Sequence, residues 1–238
     1  MKLPRKINPD PLLSSVVEIR LNFNLDREKV LNSIYKLFST KYTNLKYIGL
    51  PTELKTQAMI RHKSDYQMSD EKFSLSFSED VILFENLGEY PLWKTYFSNI
   101  KEDLKKISSS VDITSINRVG VRYISIFPNA KSITDVCRVQ LELKSPAGYN
   151  QEKRVVHSIL NKEDISLLLR IHEDTTAKKQ NKPYSGLLID IDASQTLNLS
   201  QEINESLYKV IDYLHSEEKE LFFSILDEEF IKSLNPEY

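Results

Sequence analysis

The chain has 238 residues with 32 basic and 34 acidic side chains, a net charge of −2 and 40% hydrophobic residues. This is the composition of a water-soluble globular protein, long enough to bury roughly 70% of its unfolded surface without disulfide or metal support. Glycine supplies only 5 residues, about 2% where roughly 7% is usual, and their scatter excludes a Gly-rich phosphate loop, a dinucleotide-binding fingerprint and a nucleophile elbow.

Cys137 is the only cysteine, so an intrachain disulfide is impossible and no Cys/His cluster with zinc spacing can be assembled. A reducing, cytoplasmic setting is the expectation. After Met1, Lys2, Leu3, Pro4, Arg5 and Lys6 the chain turns polar and proline-broken where a signal peptide needs an apolar run. No stretch approaches the roughly 18 uncharged apolar residues of a membrane span. No motif calls for a cofactor or a resident metal.

Residues 15–23 alternate, with Val17, Ile19, Leu21 and Phe23 on one face and Glu18, Arg20 and Asn22 on the other, the period of a half-buried strand. Asp26 then caps a helix whose Val30, Leu31, Ile34, Leu37 and Phe38 recur at helical spacing. Short strands follow over 56–62, 72–77 and 81–84, the last two joined by Ser78, Glu79 and Asp80. Pro91 opens a second helix with an apolar stripe of Trp93, Tyr96, Phe97, Ile100, Leu104 and Ile107. A strand over 114–127 precedes four more at 135–144, 152–160, 164–172 and 186–193, with a loop over 174–185. The period changes again at Ile203, Leu207, Val210, Ile211 and Leu214, then Leu221, Phe222 and Ile225, which trace one long helix or two. A final helical turn or two follows over 227–234.

Because strands come in runs, the order predicts an α+β fold of antiparallel sheet covered by amphipathic helices. It permits two similar halves: an N-terminal α+β half over 1–128 and a C-terminal meander with acidic helices over 129–238. One compact domain fits the same order.

Three constellations carry candidate chemistry, because charge within an apolar strand has a cost unless it is paired. Arg118 and Arg122 flank Gly120 on one strand face, where two guanidinium forks can clamp a carboxylate or phosphate or form an ion-pair ladder. Asp190 and Asp192 share a strand face opposite Leu187, Ile189 and Ile191. They can partner those arginines, face solvent, or hold a cation or a proton. Of His62, His157, His172 and His215, His172 stands out because it ends a predicted strand before Glu173, Asp174 and the long loop. The stretch Ala177, Lys178, Lys179, Gln180, Asn181, Lys182, Pro183, Tyr184 is either a solvated hairpin loop or a contact for a nucleic-acid backbone. Cys137, in alternation with Val139 and Leu141, reads as a buried small hydrophobe.

Charge is uneven along the chain. Residues 202–238 hold ten acidic side chains against three lysines, leaving a body of +5. The acidic helices are therefore either a solvated face or a docking surface for a protein partner.

Five segments occur in a recognisable order: NPDPLLSSVVEIRLNF from Asn8, Tyr90 to Phe97, RVGVRYI from Arg118, LLIDID from Leu187, and LHSEEKELFFSIL from Leu214. The chain resembles, over nearly its full length, a sporadically distributed family of uncharacterised prokaryotic proteins of about 250 residues. Family members usually carry asparagine where Ser125 stands and commonly an acidic residue at Ser14 or Ser15. The resemblance implies no catalytic residues. Its patchy distribution is that of accessory genes such as toxin–antitoxin or phage-defence cassettes.

The leading expectation is a non-enzymatic protein-binding or regulatory subunit that docks through the acidic helices. The alternative is an enzyme or receptor for a small anionic ligand, using Arg118, Arg122, Asp190, Asp192 and His172.

Overall fold

The structure, a computed structural model, describes residues 2–50, 62–138, 147–179, 182–199 and 203–238. In chain order its elements are β1 (Leu12–Phe23), α1 (Arg27–Phe38), β2 (Asn44–Tyr47), β3 (Tyr66–Ser69), β4 (Phe73–Phe77), β5 (Val81–Asn86), α2 (Trp93–Ser108) and β6 (Ile113–Phe127). A 3-10 turn at Ile133–Asp135 leads to β7 (Val155–Lys162), β8 (Ile165–Lys179), β9 (Lys182–Leu199), α3 (Glu205–Ile225) and α4 (Glu228–Ser233). The fold is α+β: the nine strands make one antiparallel sheet in the order β2-β3-β4-β5-β1-β6-β9-β8-β7. The chain groups into two units, one of residues 16–121 with 194–214, the other of 1–15, 122–193 and 215–238. No helix among the described residues is long and apolar enough to cross a membrane.

In the 16–121 unit, strand alternation sets the core. Val17, Phe84, Leu75 and Met68 lie opposite one another across β1, β5, β4 and β3, and all four are buried. The next row, Glu18, Leu83, Ser76 and Gln67, points to the other face. Asp26 caps α1 by accepting from the Lys29 amide, and Val30, Ile34 and Phe38 turn inward. On α2 the expected stripe is buried at Tyr96, Phe97, Ile100, Leu104 and Ile107. Tyr96 donates its hydroxyl to the Phe84 carbonyl at 2.7 Å, which fixes α2 over the apolar face of the strands. Trp93 stacks on Phe97 at 4.8 Å and donates its indole N–H to Asp212 at 2.6 Å.

Asp103 falls inside the α2 stripe and is fully buried, yet it accepts from Lys41 Nζ and from the Tyr42 hydroxyl, both at 2.6 Å. Burial and the neighbouring Asp103 charge push the Tyr42 hydroxyl far above its ordinary pKa, so it stays a donor.

The 122–193 unit is built the same way. Leu167, Leu169 and Ile171 of β8 and Leu187, Ile189 and Ile191 of β9 are buried on one face. Phe127 of β6 meets Phe222 of α3 at 6.3 Å and Phe230 of α4 at 5.2 Å, so these helices cover that face. Tyr123 and His215 meet through the tyrosine oxygen and Nδ1 at 3.1 Å. Glu173 is buried because its carboxylate accepts from the amides of Ile133 and Arg154 and from the Ser132 hydroxyl. The chain ends close on each other here, with the Asn8 amide bonded to the Leu234 carbonyl.

Two expectations are corrected. The loop over 174–185 is instead the continuation of β8 to Lys179 and the start of β9 at Lys182. Its sequence is polar on both faces, so it lacks the alternation that marks a half-buried strand, while backbone pairing within the hairpin needs no such pattern. The strands β2 and β3 went unread, being four residues each with mixed side chains. The strand over 56–62 lies outside the described residues but for His62, as does 139–144 of the strand over 135–144. Of its described part, Asp135 ends the 3-10 turn Ile133–Asp135 and Cys137 makes an isolated bridge to Leu226, so no strand forms over 135–138.

Gly186 and Glu218 yield two expected outcomes. A Cβ on Gly186 would collide with the Phe127 carbonyl oxygen and stand 2.9 Å from Pro128 Cα. Gly186→Ala therefore lowers stability by about 1–3 kcal/mol, measurable by urea unfolding. Glu218 occupies a core position of α3, where burial raises its carboxyl pKa well above the ordinary 4.5 against the opposing Lys219 charge. The unfolded state ionises above 4.5 and the folded state does not, so stability falls as pH rises beyond that value. Glu218→Gln flattens this loss with rising pH and leaves the melting temperature near pH 4 unchanged, as thermal melts at pH 4 and 8 will report.

Candidate functional site

Alternation gives the face of the 122–193 unit opposite α3 and α4 its charge. On β9 the buried Leu187, Ile189 and Ile191 send Asp190 and Asp192 to the opposite face, and on β8 Leu169 and Ile171 do the same for Arg170 and His172. On β6 Val121 and Tyr123 are buried and Arg122 points away from them.

Asp190 sits at the centre. Arg122 grips it with two bonds, Nε to Oδ1 and Nη2 to Oδ2, both 2.7 Å. Arg170 Nη1 reaches the same Oδ2 at 2.9 Å. The first contact is the planar fork on a carboxylate, stronger and more directional than a single charge-assisted bond. Side-chain exposure is 6% for Asp190, 41% for Arg122 and 31% for Arg170, so a buried carboxylate holds two guanidinium groups that still meet solvent. Burial alone would push the Asp190 carboxyl up, but the bonds and charges of Arg122 and then Arg170 outweigh it and hold its pKa below the ordinary value. Exposed His157 of β7 lies directly opposite Arg170, and Val155 lies opposite His172.

Arg118 belongs to a different cluster. Its Nη1 bonds to Oε1 of Glu18, which also accepts from Arg20 Nε at 2.7 Å. All three are half-buried in the 16–121 unit. Of the two readings of Arg118 and Arg122, a clamp or an ion-pair ladder, these contacts are of the ladder kind, Arg122 bonding to Asp190 and Arg118 to Glu18. Asp192 is half-buried on the same face of β9 as Asp190. His172 is half-buried within β8 and does not end it. His62 bonds to Asp80 at 2.6 Å. Burial, with Lys219 nearby, drives the His215 imidazole down to about 3.

Cys137 is buried, and burial raises its thiol to about 11, far from a reactive thiolate. Among the described residues no three His, Cys, Asp or Glu side chains converge as metal ligands would.

Sequence reading missed three residues of these clusters, Arg170, Glu18 and Arg20. Arg170 interrupts the apolar run Leu167, Leu168, Leu169, Ile171, the same signal that exposed Arg118 and Asp190. Glu18 gave no such signal, because on a strand that alternates cleanly an acidic residue reads as the solvent face.

No protein-family model matches the chain, and no curated protein matches it.

Asp190→Asn leaves two guanidinium groups beside a neutral amide. The expected loss is about 2 kcal/mol, read by urea unfolding at pH 7. Since the folded pKa is depressed, the difference from the parent protein shrinks as pH falls below the ordinary carboxyl value of 3.8.

Proposed function

We propose that the protein is a non-enzymatic receptor for an anionic group, a carboxylate or phosphate, taken on the sheet face that carries Arg122 and Arg170. One observation carries this reading: a single buried carboxylate orients two guanidinium groups that remain open to water. Arg170 spends only Nη1 on Asp190, and guanidinium has five N–H donors in a fixed plane. Asp190 thereby removes much of the rotamer freedom that arginine would otherwise lose on meeting a ligand. An oxyanion arriving from solvent meets donors already held in place, with His157 and His172 on the same face.

Docking through the acidic residues of 202–238 has weaker support. Asp212 is bonded to Trp93, Glu217 to Lys162, Glu229 to Lys232 and Glu237 to Arg5, while Asp227 caps α4 and Glu228 faces Arg138. A nucleic-acid contact through 177–184 is likewise weakened, since Lys179 Nζ bonds to the Leu12 carbonyl. The two strand motifs of the prokaryotic resemblance, RVGVRYI and LLIDID, are the strands that Arg122 and Asp190 join. Membership of that family, and a place in an accessory gene cassette, belong to the same proposal.

Pyrophosphate and citrate, each titrated into the purified protein while its melting is followed, test the reading. A ligand at about 100 times its Kd stabilises the fold by about 2.7 kcal/mol. The expected result is a rise in melting temperature with at least one anion, lost in Arg170→Gln and kept in Arg20→Gln. No rise with either anion, or a rise that survives combined Arg122→Gln and Arg170→Gln, would overturn it.

A further inference from the structure

The face that carries Arg170 also carries two histidines, and strand geometry places them around it. On β7 His157 lies directly opposite Arg170, and on β8 His172 follows Arg170 by two residues, so all three side chains share one face of the sheet. Directly opposed antiparallel residues have Cβ atoms about 5 Å apart and diagonal ones about 7–8 Å. His157 is diagonal to His172, which itself lies opposite Val155. Three nitrogen-bearing side chains thus stand at the corners of a small triangle. Arg170 uses only Nη1, on Asp190, and among the described residues neither imidazole is engaged in a hydrogen bond or ion pair. His157 is exposed, and Arg170 and His172 are half-buried, so solvent reaches all three.

We propose that Arg170, His157 and His172 form one seat for a tetrahedral oxyanion, the terminal phosphate of a ligand, and that the anion binds together with protons on the two imidazoles. The proposal rests on the reading of this face as an anion receptor, and adds the shape of the ligand and its coupling to pH. Histidine side chains exchange their proton between about pH 5 and 8. A proton on His157 sets an imidazolium directly opposite the Arg170 guanidinium, and like charges so placed on a sheet are destabilising. An oxyanion between them turns that repulsion into charge-assisted hydrogen bonds. Anion and proton therefore favour each other, and the linkage is reciprocal. Three terminal oxygens can meet donors converging from two strands, whereas a carboxylate has two oxygens in one plane and suits a single guanidinium fork.

The neighbouring charges set the sign. On this face β7 adds only Val155, Ile159 and Asn161, all uncharged. Asp190 and Asp192 come from β9, Arg122 from β6, and Arg170 from β8, where Asp174, past His172, is paired with Lys153. With the histidines neutral, two arginines balance two aspartates. Each proton taken up makes the face net positive, so falling pH strengthens anion binding.

Sulfate is the probe, because it stays a tetrahedral dianion from pH 5.5 to 8 and any titration read is the protein's. Calorimetry on the full chain is expected to give an affinity about tenfold higher at pH 5.5 than at pH 8. Proton uptake then appears as a dependence of the measured heat on the ionisation enthalpy of the buffer. The gain is lost in combined His157→Gln and His172→Gln and kept in His62→Gln. Oxalate, a dianion over the same range built of planar carboxylates, binds more weakly than sulfate at pH 5.5. Arg170-dependent sulfate binding of equal affinity at both pH values overturns the inference and leaves the receptor reading standing. So does a gain that survives the double variant, or oxalate bound as tightly as sulfate. Absence of sulfate binding at both pH values also overturns it, and where pyrophosphate and citrate fail as well, the receptor reading falls with it.

Discussion

A side chain on a β-strand points to one face of its sheet or the other, and successive residues must disagree. Here that constraint governs both units. Where Val17, Ile19 and Leu21 turn toward α2 and its neighbours, Glu18 and Arg20 must turn away; where Leu187, Ile189 and Ile191 turn toward α3, Asp190 and Asp192 must turn away. Packing helices on one side therefore forces the charge to the other. The charged face follows geometrically from the core, and the question it raises is how those charges are held.

They are held by sharing. Glu18 serves two arginines and Asp190 serves two others. Inside the protein the accounting is stricter. Asp103 is tolerated at full burial because Lys41 and Tyr42 both donate to it, whereas Glu218, on a helix stripe of the same kind, avoids the cost of a buried charge by keeping its proton. The two solutions differ in consequence: the first ties the residues after α1 to α2, and the second makes the stability of α3 fall as pH rises above the ordinary carboxyl range.

Much of this was legible in the residues themselves. The alternation of 15–23, the capped helix after Asp26 and the aromatic stripe from Trp93 each carry one strong period, and each appears as read. The pairing of Arg122 with Asp190 follows from the need of charged strand residues for partners. What could not be read is which strands are neighbours, because partner choice in a sheet is decided by contacts distant in sequence. Glu18 lies 100 residues from Arg118, and nothing local to either announces the other. The hairpin of β8 and β9 escaped for the opposite reason: beyond Glu173 its side chains are polar on both faces, and backbone pairing leaves no trace in composition.

The division of the chain has a consequence for the order of events on the ribosome. The unit of residues 16–121 needs 194–214 to complete it, and the unit of 122–193 needs both the first 15 residues and those after 214. Neither can close while the middle of the sequence is emerging. Between the first stretch of that unit and its second, the nascent chain must add all of residues 122–193 before 194–214 can join it. Contacts so distant in sequence slow folding through the loops they must close, so exposure to holding chaperones is prolonged by the connectivity itself, whatever the final stability.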